Sequence, residues 1–182
     1  MTSIADDAQP SAAPGPANAA WFASYPPGVP RTIDPDRFPS LHAMLIESCD
    51  QHALRPAFES LSAQMSYAEW ERDSRAFAAF LIEEVKCRAG DRVAIMLPNM
   101  LAYPVAFLGT LRAGLIAVNV NPLYTPRELK EQLGDSGAEV IVIMENFAHK
   151  LQEIIADTKV RHVVVARLGD FVPMLKDRKS VV

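Results

Sequence analysis

Short apolar segments alternate with helical patterns in the second half of the chain. β-Branched and other apolar residues form runs that predict four strands, at residues 92–97, 116–120, 139–144 and 161–166. Nearly continuous apolar strands separated by helices are typical of a parallel sheet that is covered on both faces. The pattern therefore predicts an α/β fold with an open parallel sheet, helices on both faces and right-handed crossovers.

Capping signals indicate where the helices begin and end. Ser66 and Glu69 form the pattern S-x-x-E, which predicts a helix that reaches about residue 85. Thr125, followed by Pro126 and Glu128, predicts another. Two further helices are expected, one capped by Asn99 and ending at Gly114, the other spanning residues 146–157. Gly134 and Gly137 are expected to end the helix that starts at Thr125.

The N-terminal part of the chain divides into three segments. Residues 1–20 are rich in Ala and Pro and predict a disordered tail. Residues 21–39 combine four aromatic side chains with several prolines, which predicts an extended arm packed on its own domain or on a partner. From Ser40 onward we expect a helix and a short β-hairpin around Ser62, so that residues 40–182 form one α/β subdomain truncated at its C-terminus.

Composition and charge narrow the range of functions. The chain has 182 residues, a net charge of −4 and scattered Lys and Arg, which argues against a nucleic-acid partner. Cys49 and Cys87 lie in no zinc-binding spacing and suggest free thiols in a reducing, cytoplasmic compartment. The N-terminus does not resemble a signal peptide, and the apolar residues 101–120 are interrupted too often for a transmembrane helix.

No catalytic residue and no metal ligand can be assigned from motifs. The eight glycines are dispersed, and neither G-x-G-x-x-G nor G-x-x-x-x-G-K-[ST] is present. The four histidines belong to no recognisable triad, and there is no G-x-S-x-G. Phosphate binding by a glycine-rich loop is therefore excluded from this chain.

One polar loop at the predicted carboxyl edge of the sheet stands out. In NVNPLYTPREL, residues 119–129, the side chains of Asn121, Tyr124 and Thr125 lie near a predicted helix N-terminus, where backbone N–H groups can meet an anion. We predict that these three residues lie near a ligand. The alternative is that Asn121 shapes the turn and Thr125 caps the helix.

Three segments of the chain carry a family pattern: WFASYPPGVPRTIDPDRFPSLHAML (21–45), YAEWERDSRAFAAFL (67–81) and GDRVAIMLPNMLAYPVAFLGTLRAGLIAVNVNPLYTPRELKEQLGDSGAEVIVI (90–143). They resemble the acyl-adenylate-forming, AMP-binding enzymes, and bacterial long-chain fatty-acid–CoA ligases in particular. The segments follow one another in the family's order and spacing. The resemblance implies that the chain is the N-terminal portion of such a ligase and that residues 40–182 are the N-terminal subdomain of the acyl-adenylate-forming fold.

The resemblance also implies an activity for the full enzyme. Family members convert a fatty acid and ATP, with Mg²⁺, to an acyl-adenylate and then transfer the acyl group to CoA. The family's phosphate loop, adenine-binding segments and catalytic lysine match no position of this chain, so we expect the isolated chain to bind no cofactor and to be inactive. A homodimer through the N-terminal arm, a cytoplasmic location and peripheral contact with the inner membrane face are further expectations that the resemblance carries.

A second interpretation stays open. The chain could be a stand-alone α/β module that binds a ligand, such as a fatty acid or CoA, or that serves for dimerisation. Because the predicted strands and helices suit either interpretation, the strand pattern alone does not distinguish them.

Overall fold

The structure, a computed structural model, describes residues 20–172. Apart from Ala20, the predicted tail lies outside the described residues, and so do residues 173–182. The chain divides into two compact units, residues 1–37 and residues 38–182. Each unit is described by itself.

The first unit contains a small aromatic cluster. A 3₁₀ helix, Ala20–Ser24, precedes the prolines, so the segment begins with a tight turn that the extended-arm prediction did not include. The ring of Phe22 lies 6.0 Å from that of Trp21 and 5.3 Å, edge to face, from that of Tyr25. The guanidinium carbon of Arg31 lies 5.4 Å from the centre of the Phe22 ring, a cation–π contact. These rings therefore contact one another locally.

The second unit begins with the predicted helix and hairpin. Helix α1, Leu41–Gln51, starts at Ser40, whose hydroxyl accepts a hydrogen bond from Ala43 N at 3.1 Å. Strands β1, Pro56–Ser60, and β2, Ala63–Ser66, pair antiparallel around a two-residue turn. Both turn residues, Leu61 and Ser62, have positive φ values of 50° and 61°, as a tight hairpin with right-handed strand twist requires.

The predicted parallel sheet is confirmed. Its four strands are β3 Arg92–Met96, β4 Ile116–Asn119, β5 Val140–Met144 and β6 His162–Ala166. Their order is β4-β3-β5-β6, and every neighbouring pair is parallel. The chain therefore leaves β3 toward one side of the sheet and then crosses to the other side. This reversal creates a topological switch point between the carboxyl ends of β3 and β5.

Alternating strand residues separate two apolar cores. Val93 and Ile95 face the core that contains α2, Tyr67–Glu83, and α3, Ala102–Arg112. Ala94 and Met96 face the opposite core, which contains the two helices that follow β4 and β5. These are α4 Pro126–Ser136 and α5 Ala148–Gln152. The central strands β3 and β5 are therefore covered on both faces, as predicted for the sheet.

The predicted N-caps are right for three helices, including α1 with Ser40, and wrong for one. Capping boxes are present at Ser66 and at Thr125, and α4 ends at Gly137, which has a left-handed backbone. The proposed cap at Asn99 is wrong: α3 starts after Leu101, with no side-chain cap. Residues 98–100 instead form a backbone turn ahead of α3, in which Met100 N donates a hydrogen bond to Pro98 O at 2.8 Å.

Two other helix predictions need correction. Gly134 lies inside α4 and does not end it. The helix predicted at residues 146–157 is divided into the 3₁₀ turn Glu145–Phe147, α5 and the 3₁₀ turn Ile155–Asp157. Leu151 and Ile154 are both buried in the core beside α4. Hydrogen bonds between residues three apart replace the α-helical pattern there, since Ile154 N donates to Leu151 O at 3.0 Å and Asp157 N donates to Ile154 O at 2.9 Å.

Helices α2 and α3 pack closely around Gly109. A Cβ atom at Gly109 would lie 2.8 Å from the Ser74 carbonyl oxygen and 2.8 Å from Cδ1 of Phe77. At one end of this contact, the Glu71 carboxylate accepts a hydrogen bond from Arg112 at 2.8 Å, with side-chain exposures of only 19% and 12%. A partly buried ion pair whose members also hold other hydrogen bonds favours one register of the two helices. The packing of α2 on α3 is therefore specified by the absence of a side chain at Gly109 and by the Glu71–Arg112 ion pair.

Gly109→Ala is expected to destabilise the chain by about 2 kcal/mol, because the added methyl group would overlap backbone and a packed ring. Gly134→Ala is the matched control: it lies in a helix, and a Cβ there meets nothing within 4 Å. The control should stabilise the chain by about 0.5–1 kcal/mol through helix propensity. Urea denaturation monitored by circular dichroism measures both. Equal stabilities for the two variants would contradict this account of the α2–α3 contact.

Candidate functional site

The loops at the carboxyl edge of the sheet define the candidate site. In open parallel sheets, ligands bind beyond this edge, close to the switch point. Here the loop after β3 leads to α3 on one face, whereas the loops after β4 and β5 lead to α4 and α5 on the other. Two of the three predicted ligand-proximal residues, Asn121 and Tyr124, lie in the loop after β4, and the third, Thr125, caps α4.

The tip of the β4–α4 loop is a compact turn. The Asn121 side-chain oxygen accepts a hydrogen bond from Leu123 N at 3.0 Å, and Tyr124 N donates to Asn121 O at 3.1 Å. The Tyr124 ring packs against the core beneath α4. Leu123, by contrast, is 80% exposed. The turn therefore leaves the apolar side chain of Leu123 exposed at the carboxyl edge of the sheet.

Thr125 and Glu128 occupy the N-terminus of α4. Thr125 N and its hydroxyl each donate to the Glu128 carboxylate at 2.8 Å, and the hydroxyl accepts from Glu128 N. The hydrogen bond from Thr125 N, and then the one from its hydroxyl, lowers the pKa of Glu128. A carboxylate therefore already occupies the position that an anion would take at this helix end, so the described residues do not fit a phosphate group there.

Asn119 connects the base of this loop to two helices, an arrangement that motif searching missed. Its side-chain oxygen accepts from the Tyr103 hydroxyl of α3 at 3.0 Å, and its carbonyl accepts from Gln132 of α4 at 2.9 Å. Tyr103 also stacks on Phe107 within α3, at 6.1 Å between ring centres. The partners lie 13 and 16 residues from Asn119, so local patterns carry no signal for them.

Lys150 holds the middle of the loop from α5. Its ammonium group donates to Pro122 O at 3.0 Å and to Tyr124 O at 2.7 Å, while it lies 5.3 Å from the centre of the Phe147 ring. Sequence reasoning gave Lys150 no role, because the two carbonyl groups precede it by more than 25 residues. The loop is therefore fixed by side chains from α3, α4 and α5 together.

A shallow cavity of about 230 Å³ lies near the loop that follows β3. Strand β1 lines one wall, and the start of α3 lines the other. The lining is mainly apolar and includes a carboxylate, two hydroxyl groups and an amide: Phe58, Glu59, Ser60, Asn99, Met100, Leu101, Tyr103 and Pro104. Such a lining suits an apolar group better than a phosphate.

Titratable side chains in residues 20–172 form no reactive cluster. No group of three or more His, Cys, Asp or Glu in this range could hold a metal ion. His149 contacts the Asn146 carbonyl of its own turn, and His52 packs edge to face on Tyr67. Burial, the main cause, raises the pKa of Cys49, so its thiol is a poor nucleophile. The candidate site, as far as residues 20–172 form it, holds loops in place but supplies no reacting group.

Comparison with known proteins identifies the family. The profile of the AMP-binding enzymes matches residues 45–181, about three-quarters of the chain. The chain belongs to the AMP-binding enzyme family. This match confirms the resemblance on which the sequence interpretation depended.

Relatives of known activity refine this assignment. The long-chain-fatty-acid–CoA ligase of Yersinia pestis is 52% identical over 150 residues, which cover 82% of this chain and 27% of the relative. The chain thus spans about a quarter of the curated relatives that it matches, and it corresponds to their N-terminal part.

Solved structures of CoA ligases share this fold. A benzoate CoA ligase from Burkholderia xenovorans LB400 superposes with a TM-score of 0.64 and 25% identity, covering 69% of this chain and 25% of that one. A long-chain-fatty-acid-CoA ligase from Archaeoglobus fulgidus gives a TM-score of 0.62 at 24% identity, covering 71% of this chain and 29% of that one. The second likeness supports the fold alone.

The Thr125–Glu128 capping box gives a pH-dependent prediction for this member of the AMP-binding family. Thr125→Ala removes the hydroxyl but keeps the backbone N–H, so the pKa of Glu128 should rise part of the way toward its ordinary value. Because a lowered carboxyl pKa stabilises the folded state above the unfolded pKa, this contribution is lost as pH falls through the folded pKa.

An NMR titration of the Glu128 side-chain carboxyl carbon measures the change. Thr125→Ser, which retains the hydroxyl, should titrate like the unmodified chain. An unchanged Glu128 pKa in the alanine variant would show that the hydroxyl contributes nothing to the capping box.

Proposed function

We propose that this chain is the N-terminal part of a long-chain fatty-acid–CoA ligase. In the full enzyme, a fatty-acid carboxylate oxygen attacks the α-phosphorus of ATP, forming acyl-AMP and releasing pyrophosphate. The CoA thiol then attacks the acyl carbonyl, which yields acyl-CoA and AMP and releases one proton. The 52% identity to a ligase with this substrate class carries the proposal.

The chain's own contribution is a scaffold. Its described residues contain no glycine-rich phosphate loop and no carboxylate cluster suited to Mg²⁺. Mg²⁺ supplies charge neutralisation on the phosphates, and in this proposal the groups that hold ATP, Mg²⁺ and CoA come from the remaining three-quarters of the ligase. The isolated chain is therefore proposed to bind none of these cofactors and to be inactive.

An uncovered apolar surface on β6 supports a longer protein. Val163 and Val165 point to the same face of the sheet and are 40% and 46% exposed. Among residues 20–172, no strand pairs with the outer edge of β6. Exposed apolar side chains on an open strand edge favour association. We propose that further polypeptide of the ligase covers this surface.

The β4–α4 loop is proposed to lie at the entrance for the acyl chain and CoA. Its location at the carboxyl edge of the sheet, one strand from the switch point, supports this placement. Asn121 shapes the turn, Thr125 anchors it to α4, and Tyr124 seats it on the core. In this proposal the three residues act by shaping the entrance.

The decisive experiment compares the isolated chain with the full-length protein. With palmitate, ATP, Mg²⁺ and CoA, the full-length protein should form palmitoyl-CoA and AMP, whereas residues 1–182 should form neither above background. Product is measured by liquid chromatography and mass spectrometry. Turnover by the isolated chain would contradict the proposal that it is inactive without the rest of the ligase.

Calorimetry addresses the stand-alone alternative. An isolated chain that binds CoA or a long-chain acid with micromolar affinity, from a reading frame that stops after Val182, would favour a binding module. Absence of binding, together with activity of the full-length protein, would favour the scaffold.

We further propose that the N-terminal segment mediates a homodimer. Trp21 is 59% exposed, although it belongs to a cluster with Phe22 and Tyr25. Exposed aromatic side chains of this kind are enriched at protein interfaces.

We also propose that the full ligase is a cytoplasmic enzyme of fatty-acid metabolism that contacts the inner membrane face peripherally. In residues 20–172, no helix is long and apolar enough to cross a bilayer.

Sedimentation tests the dimer. The chain with residues 1–39 should sediment as a dimer, and the chain without them as a monomer, because the aromatic cluster is removed. Trp21→Ser is a milder variant that should weaken dimerisation while leaving residues 38–182 unchanged. A monomer for all three proteins would contradict the proposed homodimer.

A further inference from the structure

The two edge strands of the parallel sheet, β4 and β6, differ in what meets their outer backbone. On β4, Val120 N donates to Ile95 O of β3 at 3.0 Å, so the backbone of Asn119, which alternates with it, points away from the sheet. The Asn119 carbonyl group accepts a hydrogen bond from the Gln132 side chain at 2.9 Å. Gln132 of α4 therefore occupies an outer carbonyl group of β4 to which an added strand would have to bond.

The outer edge of β6 is open by comparison. His162 N donates to Glu139 O, just before β5, at 3.2 Å. The backbone groups of Val163 and Val165, one and three residues further along, therefore point away from β5. In the described part of the chain, these outward groups meet neither a strand nor any other hydrogen-bonding partner. Strand β6 is thus the edge that can accept a further strand.

The exposed apolar face of β6 lies on the side of the sheet that carries α4 and α5. Val164 and Ala166 face the core that contains α2 and α3, so Val163 and Val165 face the opposite side. Helices α4 and α5 lie on that side, but the two valines stay 40% and 46% exposed. Within residues 20–172, the exposed apolar face and the open edge of β6 therefore lie side by side.

The existing crossovers indicate on which side a further crossover helix would lie. From β4 to β5 and from β5 to β6 the chain advances toward the β6 edge, and its helices α4 and α5 lie on the face of Val163 and Val165. From β3 to β4 the chain moves the other way, and α3 lies on the opposite face. Right-handed crossovers produce this pattern. One more right-handed crossover beyond β6 would therefore place its helix on the two exposed valines.

We propose that the remaining part of the ligase adds a parallel strand to the outer edge of β6, through a right-handed crossover whose helix packs on Val163 and Val165, while β4 stays an exposed edge. This inference rests on the proposed ligase function and specifies which polypeptide covers β6. The 150 matched residues cover 27% of the Yersinia pestis relative, so a ligase of that length contains enough chain for both elements. Strand β6 then becomes an interior strand with helices on both faces, which suits its apolar sequence.

Thiol accessibility in the full-length protein tests the helix. Val163→Cys and Val165→Cys place a thiol under it, and Ile116→Cys on β4 is the matched control, because Ile116 is 45% exposed. Labelling by N-ethylmaleimide is followed by mass spectrometry of the peptide that carries each cysteine and is scaled to its rate in urea. The β6 thiols should react about tenfold more slowly than the control at every protein concentration, since a covered thiol reacts only after local opening.

Three labelling results would overturn the proposal. Equal, fast rates at all three positions would mean that no helix covers β6. Equal, slow rates would mean that the cover is not specific to β6. Slow labelling of the β6 thiols that is lost on dilution would mean that a second copy of the protein, and not its own chain, occupies this face.

Hydrogen exchange of the unmodified full-length protein, resolved to single residues, tests the added strand. The N–H groups of Val163 and Val165 should exchange at least about tenfold more slowly than the outward N–H group of Ala117 on β4, because they would bond the added strand. Fast exchange at both valines would overturn the strand, whether or not the thiols are covered. If the unmodified protein forms no acyl-CoA, the ligase proposal fails, and labelling and exchange still decide where the sheet is extended.

Discussion

Burial of β3 and β5 on both faces is the constraint on which the rest of the structure depends. All five residues of β5 are buried, and so are four of the five in β3. Strands that are apolar on both sides must lie in the middle of a sheet with helices above and below. The outer strands β4 and β6 are more exposed, as their edge positions require. This arrangement directs the three loops of interest to one edge and creates the switch point between β3 and β5.

The candidate site is ordered by polar contacts that the sheet makes possible. The β4–α4 loop receives Tyr103 from α3, Gln132 from α4 and Lys150 from α5. Each donor sits on a different helix, and the helices are placed by the two apolar cores. A loop fixed in this way can present a bare leucine without collapsing onto the protein. The rigidity of the turn is therefore a property of the whole unit of residues 38–172.

The distribution of chemistry follows from what this part of an AMP-binding enzyme contains. The N-terminus of α4, which could attract an anion, is filled by Glu128, and the partly buried charge pair of Glu71 and Arg112 serves helix packing. The cavity beside β1 is mainly apolar. The polar groups named here cap a helix or join two helices, which agrees with the proposal that the reacting groups belong to the remaining part of a ligase.

The sequence by itself determined the parallel sheet, the capping boxes at Ser66 and Thr125 and the family, because these depend on local periodicity, local hydrogen bonds or extended similarity. It failed at Asn99, where a backbone turn replaces the side-chain cap, and at residues 146–157, where hydrogen bonds between residues three apart divide the predicted helix into 3₁₀ turns and a short α-helix. Strand order, the contact at Gly109 and the roles of Asn119 and Lys150 were decided by tertiary structure alone. Each joins residues that are distant in the chain, and only packing determines which side chains meet.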